Sequence, residues 1–333
     1  MNTTPAITVF MPVYNGANFL REAIESVLHQ TFKNFELLIV DDGSIDNSLE
    51  IIKSFNDDRL RILENPENKG LIFSRNLGIR EAHGKYLAIL DCDDIALTDR
   101  LQIQYDYLES NPKIAVCGGH AIIIDEYGKE KEFFQVPLTH KNMGILMLFR
   151  NTIVNSTAMI RVDILKEIGG YLNYEIGEDF DLFLRIAERY DITNIDYTLS
   201  KYRINTKGIS TIKRSDMVIA EREIIQGMLE RLGIKPDKKL IDIHHAIYTF
   251  QLKSYHIPDF MHLLEKLKSA NKSLKKYDQH DFNTFLYNKW YDILRAKKSK
   301  SAIYYYFKSK LLYKPAVTFK HLRKLLKQSI GII

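Results

Sequence analysis

A short acidic run, Asp91-Cys92-Asp93-Asp94, is the part of the sequence whose residue types most directly suggest chemistry. Three carboxylates within four residues repel one another and lose solvation unless a positive group lies among them. Hard divalent cations such as Mg²⁺ and Mn²⁺ are bound in proteins by oxygen ligands of this kind. The run therefore predicts a site for Mn²⁺ or Mg²⁺.

Each of two acidic groups follows a stretch of apolar residues that is typical of a strand buried on both faces. Residues 86–90 precede the acidic run, and residues 35–40 precede Asp41 and Asp42. In open α/β sheets, ligands bind at the edge where the strands end. We therefore expect both acidic groups at one edge of a single sheet. Taken alone, Asp41 and Asp42 are equally compatible with capping the next helix.

The order of these patterns predicts the fold. Strand patterns alternate with helix patterns from residue 7 to residue 90, which is typical of an α/β protein with a doubly wound, mostly parallel, Rossmann-like sheet. The first strand is expected to stop at Pro12, because proline has no backbone N–H. Strand patterns end near residue 214, and helix patterns follow. We predict two domains, residues 1–214 and residues 215–333.

Composition narrows the class of protein. An apolar content of 45% over 333 residues is ordinary for a globular chain, so a wholly disordered protein is excluded. The two cysteines have no zinc-type spacing, which favours a reducing compartment. The sequence shows no signal-peptide pattern and no run of roughly 18 to 20 apolar residues. We expect a cytoplasmic location, soluble or peripheral to a membrane.

The charge is distributed unevenly. Eleven Lys or Arg and no acidic residues occur from Ile293 to Ile333, and since the whole chain carries +5, the preceding 292 residues carry −6. Four apolar residues of this basic tail are predicted to share one helical face: Leu322, Leu325, Leu326 and Ile330. Such a helix can lie on an anionic membrane surface. A packing helix with solvated lysines is the alternative, and both stay open.

Several motifs together resemble those of the family 2 glycosyltransferases with the GT-A fold. The resemblance covers about residues 6–210, and its specificity lies in the set of motifs with their order and spacing. The motifs are Val9-Phe10-Met11-Pro12-Val13-Tyr14-Asn15, Asp41-Asp42-Gly43-Ser44, Asn68-Lys69-Gly70, Arg75-Asn76, Asp91-Cys92-Asp93-Asp94 and Gly177-Glu178-Asp179.

The resemblance implies an inverting transfer of a sugar from a nucleotide-diphosphate sugar, in the manner of bacterial enzymes of surface-polysaccharide synthesis. By likeness to the family, Pro12, Tyr14 and Asp41 line the pocket of the base. Arg75 lies near the nucleotide, and Asp91 holds the ribose or the sugar. UDP is the expected nucleotide, with dTDP and GDP as alternatives, because the methyl group of thymine leaves the N3 edge unchanged.

The remaining roles implied by the resemblance are chemical. Asp93 binds Mn²⁺ or Mg²⁺, which stabilises the charge that develops on the leaving diphosphate. Asp179 acts as the general base for the acceptor hydroxyl, with Glu178 as the competing candidate. The acceptor is expected to be a glycan or a lipid-linked molecule.

The sequence departs from the family pattern in two places. Asn205 follows Tyr202-Arg203-Ile204, where many members have a histidine. The Gln-Xaa-Xaa-Arg-Trp motif of processive synthases is also missing, so we expect one sugar per acceptor.

Two other functions are compatible with parts of the sequence. A nucleotidyltransferase shares a similar fold and metal use, but it would usually carry a Gly-rich basic phosphate loop after the first strand, which Tyr14-Asn15-Gly16-Ala17 is not. A protein that binds nucleic acid through the basic tail would leave the acidic strand ends unexplained, so no nucleic-acid partner is expected.

Overall fold

The computed structural model describes residues 4–138, 142–174, 176–205 and 214–330. The chain forms two compact units. The α/β unit comprises Met1–Met147 and Asn151–Met217, and the helical unit comprises Leu148–Arg150 and Val218–Ile333.

The α/β unit alternates strands and helices along most of its length. Its strands are β1 (Ile7–Val13), β2 (Phe35–Asp41), β3 (Leu60–Glu64), β4 (Tyr86–Ile89), β5 (Ile95–Ala96), β6 (Ile114–Ile124), β7 (Glu130–Phe134), β8 (Met159–Arg161) and β9 (Asp191–Arg203). Its helices are α1 (Ala17–Leu28), α2 (Ser48–Lys53), α3 (Leu71–Glu81), α4 (Arg100–Ser110), α5 (Met143–Met147), α6 (Val162–Ile168) and α7 (Glu178–Ala187).

The strands form one sheet in the order β3-β2-β1-β4-β8-β6-β9-β5, with β7 paired to β6. The first four strands in this order are mutually parallel, and β6 is parallel to β9. β8 is antiparallel to both β4 and β6. The Rossmann-like half predicted from the sequence is thus continued by strands of mixed direction.

The central strands form because their sequences are mainly apolar, and the polar residues inside them are paired, since the hydroxyl of Thr8 donates to Oε1 of Glu36 at 2.6 Å. Every residue of β1, β2 and β4 is buried, as expected for parallel strands covered on both faces. Helix α1 covers the sheet with Leu20, Ala23, Ile24 and Val27, which are spaced along one helical face.

The first strand continues through Pro12 and ends at Val13, so the expectation that Pro12 stops it is wrong. The carbonyl oxygen of Phe10 accepts a hydrogen bond from the N–H of Leu90, which places the proline nitrogen on the same side of the strand. The last pair between β1 and β4 is Phe10 with Ile89. Proline is tolerated at this position because β4 has ended and does not require a hydrogen bond from the nitrogen of Pro12.

Gly84 explains how β4 enters the sheet so closely beside β1. A Cβ at this position would lie 2.6 Å from the backbone carbonyl carbon of Ile7. The N–H of Gly84 donates a hydrogen bond to the hydroxyl of Thr8 at 2.9 Å. Only glycine allows this approach, which sets the start of the strand that carries the acidic run.

The helical unit consists of helices and short 3₁₀ turns in its described part. Its helices are α8 (Arg214–Arg231, which belongs to this unit from Val218 onward), α9 (Lys238–Tyr248), α10 (Ile257–Leu274), α11 (Gln279–Ala296), α12 (Ala302–Lys308) and α13 (Phe319–Ser329). Within the described ranges, no helix combines the length and the apolar character needed to cross a membrane.

The apolar face predicted for the last helix is divided between the interior and the surface. Leu325 of α13 is fully buried, whereas Leu326 and Ile330 are exposed. Consecutive residues of a helix point about 100° apart, so the helix places Leu325 inward and Leu326 outward.

Candidate active site

The carboxyl ends of β1 and β2 bring the first group of predicted residues together. Val13 pairs with Asp41 in the parallel register, so Pro12 and Tyr14 flank the position opposite Asp41. The buried carboxylate of Asp41 accepts hydrogen bonds from the N–H of Ser44 at 3.2 Å and from its hydroxyl at 2.5 Å. Tyr14 is exposed beyond the strand end. An open aromatic ring thus lies near a fixed carboxylate, which suits stacking and hydrogen bonding of a planar base.

The loops that follow these two strands are joined by reciprocal hydrogen bonds. The N–H of Asn15 donates to the hydroxyl of Ser44 at 3.0 Å, and the N–H of Ile45 donates to Oδ1 of Asn15 at 2.9 Å. Asn15 has φ 53°, a left-handed conformation that asparagine adopts more readily than most residues. These bonds fix the loop that carries Tyr14.

Asp42 has a separate, structural role. Its carboxylate accepts hydrogen bonds from Nδ2 of Asn65 at 2.7 Å and from the N–H groups of Lys69 and Gly70 at 3.0 and 2.8 Å. Helix α2 is instead preceded by Asn47. The helix-cap alternative for Asp41 and Asp42 is therefore wrong, because both carboxylates are bound within loops.

Arg75 of α3 lies buried against two of the predicted site residues, Glu178 and Asp91. Its Nη1 lies 2.5 Å from Oε1 of Glu178, and its Nη2 lies 3.3 Å from Oδ1 of Asp91. The ring of Tyr171 lies against the guanidinium, 5.2 Å from Cζ to the ring centroid. Burial works to lower the pKa of Arg75, but the surrounding carboxylates, Glu178 foremost, raise it above its ordinary value. Arg75 is therefore a permanent cation among acids.

Hydrogen bonds to both carboxylate oxygens position Asp91. Oδ1 faces Arg75, while Oδ2 accepts hydrogen bonds from Nδ2 of Asn155 at 3.0 Å and from the hydroxyl of Ser156 at 3.2 Å. Asn155 and Ser156 lie in the 3₁₀ turn that precedes β8, and their role was not predicted from the sequence. The only sequence signal for it is a run of polar residues before a strand, which is common in loops.

Arg203, at the end of β9, holds the second half of the acidic run. Its Nε donates to the carbonyl oxygen of Asp93 at 2.8 Å, and its N–H donates to Oδ1 of Asp94 at 2.7 Å. Its Nη2 lies 2.6 Å from Oε2 of Glu22. Burial, followed by the charge of Asp91, raises the pKa of Asp93 to about 6, although a hydrogen bond with Asn205 opposes the shift. The Asp93 carboxylate thus lacks full compensation of its charge.

Glu178 and Asp179 open helix α7. Gly177 precedes the helix with φ 75°, a conformation that favours glycine. Burial raises the pKa of Glu178 to about 6, and it also raises the pKa of Asp179, in each case against the opposing charge of Arg75. Asp179 accepts a hydrogen bond at 3.2 Å from Nδ2 of Asn151, another contact that was not predicted. Because Glu178 forms an ion pair with Arg75, Asp179 is the carboxylate more available to accept a proton.

The two parts of the site meet at Cys92. A Cβ placed on Gly16, in the loop after β1, would lie 2.9 Å from Sγ of Cys92. Burial and then the flanking aspartates raise the pKa of the Cys92 thiol well above its usual range, so the sulfur stays protonated. The structure therefore brings the Tyr14 and Asp41 group beside the group formed by Arg75, Asp91, Asp93 and Asp179.

Comparison with known proteins assigns the chain to a family. The family model described as glycosyl transferase family 2 matches residues 8–169. An Escherichia coli protein described as the UDP-Glc:alpha-D-GlcNAc-diphosphoundecaprenol beta-1,3-glucosyltransferase WfgD is 30% identical over 217 residues, which cover 63% of this chain and 82% of that protein. The chain belongs to glycosyl transferase family 2.

The relationship also extends over most of the chain. An uncharacterized glycosyltransferase of Haemophilus influenzae is 28% identical to this family 2 glycosyltransferase over 316 residues, covering 83% of this chain and 98% of the relative. Among solved structures, S. aureus TarS in complex with UDP-GlcNAc matches with a TM-score of 0.58 at 16% identity, covering 98% of this chain and 91% of that chain. The fold of the family 2 glycosyltransferase is therefore GT-A, as the sequence predicted.

The acidic run of this family 2 glycosyltransferase offers oxygen donors for a divalent cation. Within the described ranges, no group of three or more His, Cys, Asp or Glu side chains could hold a metal ion. Mg²⁺, however, is commonly bound through one or two carboxylates together with substrate phosphates and water. Asp93 supplies a hard oxygen donor whose raised pKa reports uncompensated negative charge. The residues fit a metal that binds jointly with a diphosphate.

Proposed function

We propose that this glycosyltransferase transfers one sugar from a UDP-sugar to a hydroxyl group of a glycan or lipid-linked acceptor, with inversion at the anomeric carbon. The observation that carries the proposal is the position of Arg75 between Asp91 and Glu178, beside Asp179 and next to the acidic run. In this proposal, Arg75 is the cation near the donor, Asp93 is the metal-binding carboxylate and Asp179 is the base. The name of WfgD, which includes UDP-Glc and a diphosphoundecaprenol acceptor, supports the donor and acceptor classes.

In the proposed binding mode, Tyr14 stacks on the base and Asp41 accepts its N–H, while Pro12 forms the floor of that pocket. Asp91, held in one orientation by Asn155 and Ser156, accepts a hydroxyl of the ribose or of the sugar. Arg75 fixes Asp91 and contributes positive charge near the nucleotide. This pre-organisation lowers the entropic cost of holding the donor in a reactive geometry.

For the chemical step, we assign Asp179 as the general base. Its carboxylate takes the proton of the acceptor hydroxyl as that oxygen bonds to the anomeric carbon and the bond to the diphosphate breaks. One displacement with no covalent enzyme intermediate inverts the configuration. Asp93 would hold Mn²⁺ or Mg²⁺, which supplies charge stabilisation of the departing diphosphate when bound. General-base assistance contributes roughly 10²- to 10⁴-fold.

The proposal assigns different functions to the two predicted domains. We assign nucleotide-sugar binding and catalysis to residues 1–214 and acceptor or membrane association to residues 215–333. Cys92 and Cys117 are both free thiols, which is consistent with a reducing, cytoplasmic compartment. Transfer of a single sugar, without polymerisation, and a place in surface-polysaccharide synthesis complete the proposal.

Calorimetric titration with UDP, with and without Mn²⁺, tests the proposal. We expect Mn²⁺-dependent binding that Asp93→Ala abolishes and that Asp106→Ala leaves intact, since Asp106 is an exposed acid on α4. Titration with dTDP and GDP decides the nucleotide. Failure of all three nucleotides to bind would overturn the proposed donor class. NMR of the product from the preferred donor then reports the anomeric configuration, and retention would contradict a single displacement.

A further inference from the structure

Helix α13 presents an apolar surface outward as well as inward. Its inner face packs on α11, where Nε2 of Gln328 donates to the carbonyl oxygen of Leu294 at 2.9 Å and His321 stacks on Tyr291 with ring centroids 4.1 Å apart. Leu325 is buried on the same side. These contacts fix the rotation of the helix about its axis, so its outward residues are determined.

The outward face carries three large apolar side chains. Phe319, Leu326 and Ile330 are 80%, 46% and 69% exposed. At 3.6 residues per turn they lie within about 40° of one another around the helix axis, in one stripe. A helix that packs only against its own unit is expected to have polar residues at these three positions, since exposure of a contiguous apolar stripe to water is unfavourable.

Basic residues run along one flank of this stripe. Arg323, Lys327 and Lys320 lie about 40°, 80° and 100° around the axis from Phe319. All three are exposed. The described ion pairs of the helical unit belong to Arg222, Lys239 and His245, so these three cations are not neutralised by carboxylates of that unit. No acidic residue occurs from residue 293 onward.

The neighbouring helix adds side chains of the same two kinds. Tyr304 and Phe307 of α12 are exposed and lie three residues apart, on one helical face. Nζ of Lys308 lies 5.2 Å from the centroid of the Tyr304 ring. Exposed aromatic residues with adjacent lysines are typical of surfaces that sit at the boundary between lipid headgroups and acyl chains.

We propose that the outward face of α13, extended by Tyr304 and Phe307 of α12, is a docking surface for an anionic lipid bilayer. Phe319, Leu326 and Ile330 insert at the headgroup boundary, and Lys320, Arg323 and Lys327 contact lipid phosphates. A nucleic acid would use the cations but leave the apolar stripe in water. An acidic protein surface is a separate partner class, which would remain if vesicles did not bind. The inference does not depend on the identity of the sugar donor.

Flotation of the full chain with vesicles tests this surface. We expect binding to vesicles containing phosphatidylglycerol, weaker binding as salt is raised, and little binding to pure phosphatidylcholine. The triple variant Lys320→Gln/Arg323→Gln/Lys327→Gln should lose binding by about 100-fold, since each cation near the lipid contributes about fivefold. The matched control Lys113→Gln/Lys166→Gln/Lys272→Gln removes the same charge from exposed positions elsewhere and should retain binding.

A second pair of variants separates insertion from simple charge attraction. Leu326→Ser/Ile330→Ser should lower vesicle affinity at least tenfold, whereas Tyr127→Ser/Tyr197→Ser, which alters two other exposed residues, should not. Circular dichroism verifies that each variant is folded, and light scattering reports its oligomeric state. The proposal is overturned if vesicles do not bind, if the control triple loses as much affinity, or if the α13 variants change only self-association.

Discussion

The guanidinium of Arg203 donates a hydrogen bond to the backbone carbonyl oxygen of Asp93, 110 residues earlier in the chain, at 2.8 Å. Two further carbonyl oxygens, those of Asp125 and Glu126, accept hydrogen bonds from Nη1 at 3.1 and 3.3 Å. One side chain thus ties the end of β9 to the acidic run and to the turn after β6. The position of the proposed metal-binding carboxylate depends on this contact.

Arg203→Lys should weaken both the fold and the metal-dependent binding of UDP. Lysine keeps the charge but cannot form several directed hydrogen bonds at once. We expect a loss of about 2–3 kcal/mol of stability from the unmade bonds. Misplacement of Asp93 should weaken affinity about 10- to 100-fold, as for other residues that orient a metal ligand. Thermal unfolding and calorimetry measure the two effects. Lys201→Gln, which removes a half-buried cation of the same strand paired with Glu130, should change neither.

Asp179→Asn and Glu178→Gln distinguish the two candidate bases. Asp179→Asn should lower kcat by roughly 10²- to 10⁴-fold with little change in KM, because the amide cannot accept the proton. Glu178→Gln removes the 2.5 Å ion pair with Arg75, so it should mainly raise KM for the donor. Steady-state kinetics with the preferred sugar donor give both values. The assignment reverses if Glu178→Gln shows the larger loss of kcat.

The pH dependence of catalysis should reflect the burial of the acids. Because burial raises the pKa of Asp179, activity should decline at a higher pH than it would with an ordinary aspartate as base, and protonation of Glu178, whose pKa is raised to about 6, should add to the decline. Arg75→Gln removes a charge that favours both carboxylates and should move the decline to higher pH. Arg80→Gln, on the exposed side of the same helix, is the control. An unchanged pH profile of kcat/KM in Arg75→Gln would contradict this electrostatic account.

His244 should make the helical unit less stable in acid. The imidazole is fully buried against Phe149, and neither ring nitrogen has a hydrogen-bond partner among the described residues. Burial, with the adjacent charge of His245, lowers the pKa of His244 to about 3. The unfolded chain therefore binds a proton below about pH 6.5 that the folded chain does not, at a cost of about 1.4 kcal/mol per pH unit until pH 3.

His244→Phe removes this proton uptake. The fall in melting temperature between pH 7.5 and pH 5.0 should be smaller in this variant than in the wild type, corresponding to about 2 kcal/mol. His262→Phe, at an exposed position, should keep the pH dependence of the wild type. Equal pH dependence in the wild type and His244→Phe would show that His244 is protonated in the folded state.

The sequence was sufficient to predict the central strands and the acids that follow them. The residues of β1, β2 and β4 are mainly apolar, which is typical of strands buried on both faces. Their carboxyl ends must then lie at one edge of a parallel sheet. The motifs at this edge also sufficed to predict the family.

The strands beyond β4 were less predictable because their direction depends on partners far along the chain. β8 has three residues and is antiparallel to β4, and nothing in Met159–Arg161 itself specifies that pairing. Likewise, Pro12 predicts a strand end when viewed locally. The strand continues because the neighbouring β4 ends before this position. No backbone N–H is therefore needed at Pro12 to bond with β4.

The amino-acid sequence by itself determined which residue types follow the central strands, since local apolar patterning marks the approximate position of each of these strands. Only the tertiary structure decided which partner each carboxylate has. Arg75 reaches Glu178, Asn155 reaches Asp91, and Arg203 reaches Asp93 across separations of 64 residues or more. The same holds for α13, where contacts with α11 set the rotation of the helix and so expose Leu326 while burying Leu325. Such contacts depend on how distant segments pack, which no local pattern of residues encodes.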